Sequence, residues 1–188
     1  MKLRRVLALT AVSALALPLA ACGNKEEVVT HGHTEGSYLN VGNLTYQVQI
    51  SRQLNPADVT DRSYLIQVPI HERQLEPDET WFGVFVIAFN ESDDVHQAAS
   101  EFEITDTQDT VYRPIDLGND NVFAYRPGPI EGGEQIPPVN SAAANNPTVN
   151  GGLLLFKIKN SSLDNRPLEL RIHAAEGTPE EAAVDLDV

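Results

Sequence analysis

The segment that most limits the fold is 81–89, Trp-Phe-Gly-Val-Phe-Val-Ile-Ala-Phe. In an extended chain Trp81, Phe85, Ile87 and Phe89 fall on one face, and Phe82, Val84 and Val86 fall on the other. The aromatic and β-branched content predicts a strand, and a strand that is apolar on both faces must be covered on both sides. Gly83 inside it marks a bulge or a close backbone approach.

The flanking chain repeats a period of two. Leu44, Tyr46, Val48 and Ile50 alternate with Thr45, Gln47 and Gln49, and Asn55-Pro56 then marks a turn. A shorter extended piece is expected over 64–68, ending before Pro69. Phe102 and Ile104 alternate with Glu101, Glu103 and Thr105. The turn 106–109 and the apolar Val111, Tyr112 and Ile115 complete a hairpin pattern. Residues 122–125 predict one more short strand. Segments 153–159 and 168–173 predict a final pair joined by 160–167. No stretch sustains a helical period, and 96–100 would make one helical turn at most. Seven or eight short strands separated by turn signals predict an all-β fold, an antiparallel β-sandwich.

Two segments break this rhythm. Residues 127–151 are rich in Pro, Gly and Asn, and a loop of this length is usually functional or disordered; disorder is the expectation. Residues 177–188 read as an acidic, frayed tail.

The chain opens with Lys2, Arg4 and Arg5, continues with an apolar stretch over 6–19, and reaches Leu19-Ala20-Ala21-Cys22-Gly23. This is the order of a secretory signal peptide. The stretch carries Thr10, Ser13 and Pro18 and falls short of the ~20 apolar residues that span a bilayer. The tetrad Leu-Ala-Ala-Cys resembles the lipobox of bacterial lipoproteins. That resemblance implies a diacylglyceryl (palmitate-type) group on Cys22 and cleavage just before it. The expected organisation is a signal peptide over 1–21 and a flexible tether over 22–37 with Cys22 lipidated. A sandwich over 38–176 and the tail would follow.

Charge excludes one class of function. The leader holds three of the 13 Lys and Arg residues and no acidic ones, which leaves 10 basic against 27 acidic residues, a net of −17. Such a surface repels nucleic acid and anionic lipid, so no nucleic-acid partner is expected and membrane affinity must come from acyl chains. Cys22 is the one cysteine, so no intrachain disulfide can form and the fold must rest on its core.

The order of segments carries a further likeness. It runs through Tyr46-Gln-Val-Gln, the strand 81–89 ending at Asn90, Phe102-Glu-Ile-Thr-Asp106, Tyr112-Arg-Pro114, and Gly152-Leu-Leu-Leu-Phe156. This resembles the immunoglobulin-like domain of unknown function found in many lipoproteins of Gram-positive bacteria, related in fold to a mycobacterial secreted immunogenic antigen. The likeness covers residues 38–174, with 127–151 as an enlarged insertion. It implies an immunoglobulin-like sandwich and an extracytoplasmic place, and it supplies no catalytic residues.

His31-Gly32-His33 is the sharpest local cluster, because imidazole is the commonest metal ligand. Two histidines fall short of the three or four ligands of a stable zinc site, so they are expected to be exposed tether residues. Asp106, Asp109, Asp116 and Asp120 lack calcium-loop spacing and are expected in turns. No Gly-x-Ser-x-Gly elbow is present. The sequence therefore predicts a non-enzymatic lipoprotein on the extracytoplasmic face of the cell membrane. It would need no cofactor and would bind an envelope or surface protein; the alternative is a lipoprotein that binds a metal or small ligand.

Overall fold

The computed structural model describes residues 28–187. The leader and Cys22 lie outside the described residues. In chain order the strands are β1 (His31–Gly32), β2 (Tyr38–Val41), β3 (Leu44–Leu54), β4 (Glu79–Phe89), β5 (His96–Gln97) and β6 (Glu101–Thr105), followed by β7 (Val111–Tyr112), β8 (Pro129–Ile130), β9 (Gln135–Ile136), β10 (Gly152–Lys159), β11 (Leu168–His173) and β12 (Glu181–Leu186). Among the described residues one α-helix, α1 (Val59–Tyr64), lies between β3 and β4, and short 3-10 turns follow at Ile70–Glu72 and Asn160–Leu163. Seven of these strands are four residues or longer.

The fold is an all-β antiparallel sandwich. One sheet runs β1-β12-β11-β6-β7, and the other runs β10-β4-β3-β2 with β9 beside the end of β4. β5 and β8 form a small separate ribbon. The single parallel contact between named strands is β1 with β12.

Alternation decides what fills the space between the sheets. Phe82, Val84 and Val86 of β4, with Tyr46 and Val48 of β3 and Phe156 and Ile158 of β10, face Phe102, Ile104, Leu170, Ile172 and Val184 of the opposite sheet. All are buried. The other face of β4 is covered as well. Trp81 and Phe85 pack with Leu54, Tyr64, Val68, Leu117, Val149, Leu153 and Leu155 in a second core outside the sandwich. β4 is therefore central and roofed on both sides, as its sequence requires.

Gly83 is a site of close approach. A Cβ there would stand 3.1 Å from the side chains of both Leu54 and Leu153. The register irregularity lies on β3 instead, between Val48 and Ile50.

Several segments depart from expectation, each for a local reason. Residues 64–68 are not a strand. Asp58 accepts the backbone N–H groups of Thr60 and Asp61 and caps α1, which carries Tyr64 into the second core. Residues 96–97 are a short strand rather than a helical turn. β10 and β11 do not pair with each other: β10 pairs with β4, β11 pairs with β6 and β12, and the link between them crosses from one sheet to the other.

The segment 127–151 is packed, not loose. Ile130, Ile136, Ala143 and Val149 are buried at intervals along it, and β8 and β9 pair with β5 and β4. The presumed tail holds β12, whose Ala182, Val184 and Leu186 are buried in the main core. The end of the presumed tether is likewise part of the sheet. β1 sets His31 opposite Ala183 and Gly32 opposite Val184.

Candidate functional site

Two regions concentrate chemistry. The first lies where the two ends of the described chain meet. Parallel pairing with β12 lays β1 flat, and the buried Gly32 faces inward, where a Cβ would sit 3.1 Å from Val184 Cγ2. The strand period then turns His31 and His33 outward together. Their rings meet edge to face with centroids 4.8 Å apart. Asp185 projects from β12 on the same side, and its Oδ2 lies 3.7 Å from His33 Nδ1. One ligand atom from each of His31, His33 and Asp185 can be chosen so that all lie within 4.8 Å of one another.

Further carboxylates lie along the same two chain segments. Asp185 stands opposite Glu169 on β11. The hydroxyl of Thr34 donates to Asp187 Oδ2 at 2.7 Å, and the backbone N–H of Asp187 donates to Glu35 Oε1 at 3.3 Å. Burial, reinforced by the nearby Asp187 carboxylate, pushes the Glu35 carboxyl above its ordinary range. Arg171 in the neighbouring row is engaged by Glu169, whose Oε1 accepts from its Nε at 2.8 Å.

The second region is a cleft of about 370 Å³ walled by the 127–151 segment. Val122, Pro129, Ile136, Pro137 and Pro138 give it an apolar lining. Asn121 and Arg126 reach it but are already committed to backbone. The Asn121 amide donates to the carbonyls of Tyr64 and Ile66 at 3.0 and 2.7 Å. The Arg126 guanidinium donates to those of Leu117 and Gly118 at 2.9 and 2.5 Å.

The residues singled out in the sequence fall as follows. His31 and His33 come together and are joined by Asp185, which lies in the segment expected to be a tail. Its one sequence signal was the alternation of Ala182, Val184 and Leu186 with Ala183 and Asp185. Asp106, Asp109, Asp116 and Asp120 do not form a cluster among the described residues. Asp106 instead accepts the N–H groups of Gln108 and Thr110 within its turn, each at 2.9 Å. His71, His96 and His173 lie apart, beside Glu72, Glu176 and Glu181 respectively.

No protein-family model matches the sequence, and no curated protein does. Comparison with solved structures finds similar chains. The yjhA protein of Bacillus subtilis is similar at a TM-score of 0.52 and 14% identity, over 82% of this chain and 99% of that one. A candidate lipoprotein of the same species, ycdA, aligns at a TM-score of 0.48 and 13% identity, covering 86% of this chain and 39% of that one. A β-sandwich protein of Clostridium difficile aligns at 0.44 and 10% identity, over 87% and 98% of the two chains. At these identities the likeness to yjhA is one of fold.

Proposed function

We propose that this protein is a lipoprotein held at the extracytoplasmic face of the cell membrane through Cys22. In this reading its sandwich binds a protein or envelope partner and catalyses no reaction. The lipobox-like tetrad supports the anchor, and two acyl chains suffice for stable attachment where one does not.

The observation that carries the binding reading is the packing of 127–151. A long Pro- and Gly-rich loop that is buried at intervals along its length and walls an apolar cleft is a preformed surface, and preformed surfaces lose little entropy on binding. Its polar neighbours Asn121 and Arg126 are spent on backbone carbonyls, which favours recognition over catalysis.

Two experiments test this. Cys22→Ala should move the protein from the membrane to the soluble fraction of cells; continued membrane fractionation removes the anchor. A photo-crosslinking residue at Val122, which is 62% exposed beside the cleft, should give a discrete adduct in intact cells. The same residue at Tyr38 on β2 should not. No adduct at Val122, or equal adducts at both, removes the cleft.

A further inference from the structure

The geometry points to a site for one divalent transition-metal ion, zinc(II) or copper(II), formed by His31 and His33 of β1 and Asp185 of β12. This does not depend on the anchor or on the cleft. Two imidazoles and one carboxylate are a ligand set for a borderline-soft cation, and three protein ligands leave a fourth position for water, as in open zinc sites. A calcium ion would need about 6–8 oxygens, whereas this set supplies only the carboxylate of Asp185.

The fold builds this arrangement. Gly32 packs inward over Val184 and sends both imidazoles to the same side of the sheet. The parallel register places Ala183 beside His31, so Asp185, two residues on, comes level with His33. The ligand atoms already lie within 4.8 Å of one another. Tetrahedral zinc holds its ligands roughly 3.3 Å apart, so side-chain rotation must close the set by about 1.5 Å. The His33 side chain is 85% exposed and can make that move freely.

Charge favours the cation. Asp187, two residues further along the chain, adds negative potential, Glu169 being paired with Arg171, and Asp185 makes no ion pair with lysine or arginine among the described residues. A bound ion would tie the N-terminal segment to the last strand. Metal occupancy would thus clip β1, the short outermost strand of its sheet, to β12.

The test is calorimetric titration of the untagged full-length protein in detergent with zinc chloride and with copper(II) chloride. The wild type should take up one equivalent of each, copper more tightly, with a higher melting temperature in zinc; calcium chloride should give no binding. His31→Ala, His33→Ala and Asp185→Asn should each weaken zinc binding at least tenfold, with unchanged far-UV circular dichroism. His71→Ala should bind as the wild type. Copper electron paramagnetic resonance should show two coordinating nitrogens in the wild type and one in His31→Ala. A wild type that takes up no zinc overturns the proposal. So does any one of the three ligand variants that binds zinc as tightly as the wild type.

Discussion

The hydroxyl of Ser162 donates to Asp106 Oδ2 at 2.6 Å, which fastens the β6–β7 turn to the crossover between the two sheets. Tyr112 extends the chain of bonds, its hydroxyl lying 2.7 Å from Ser162 Oγ and accepting the backbone N–H of Lys159 at 3.4 Å. One buried carboxylate thus links a hairpin of one sheet to the end of a strand in the other.

Asp106 makes stability fall in acid. Burial alone would raise its pKa, but the Ser162 hydroxyl, the N–H groups of Thr110 and Gln108 and the Asn165 amide outweigh burial and hold it at about 2, against an ordinary 3.8. A carboxylate with a depressed folded pKa stabilises the protein above the ordinary value and loses that contribution as pH falls toward the folded one. Urea unfolding should therefore show about 2 kcal/mol lost between pH 4 and pH 2. Asp106→Asn should flatten that dependence, and Ser162→Ala should raise the Asp106 pKa in a carbon-13 NMR titration.

The outer core should unfold together with the sandwich. Tyr64 is fully buried, with the rings of Phe85 and Phe123 each 5.0 Å away, and its hydroxyl accepts from Asn146 Nδ2 at 3.0 Å. Tyr64→Ala should cost about 3–5 kcal/mol and Tyr64→Phe about 1 kcal/mol in denaturant titration. A small loss for the alanine variant would mean that this layer is not part of the cooperative unit.

Gly36 and Gly42 separate strain from collision. Both have positive φ, 81° and 60°. A Cβ at Gly36 meets nothing within 4 Å, whereas at Gly42 it would run into the carbonyl oxygen of Glu176. Gly36→Ala should cost about 1 kcal/mol, from backbone strain alone. Gly42→Ala should cost more than about 2 kcal/mol. Equal thermal shifts for the two variants would contradict the close contact between the β2–β3 turn and the segment before β12.

The C-terminal strand is structural. Deleting residues 178–188 would strip β12 from between β1 and β11 and uncover Leu170 and Ile172. The truncated chain should lose its dispersed amide spectrum and aggregate. A folded truncation melting within a few degrees of the full chain would restore the tail reading.

Where the pattern was long, the sequence alone determined the outcome. The two apolar faces of β4, the alternation in β3, the hairpin around Asp106 and the all-β class all follow from side-chain periodicity, because burial acts on each strand residue by residue. Helix α1 carried a local signal too, the Asp58 cap, but its few residues offered no period to read.

Tertiary structure decided the rest. Whether β10 pairs with β11 or with β4, whether 127–151 packs, and whether 181–186 is a tail or a core strand depend on contacts between residues far apart in the chain. The His31, His33 and Asp185 cluster is the extreme case. Its members are separated by about 150 residues and meet because a two-residue strand pairs in parallel with the last one. Local propensity carries no information about that register; it is set by the burial of Gly32 and Val184 against the shared core.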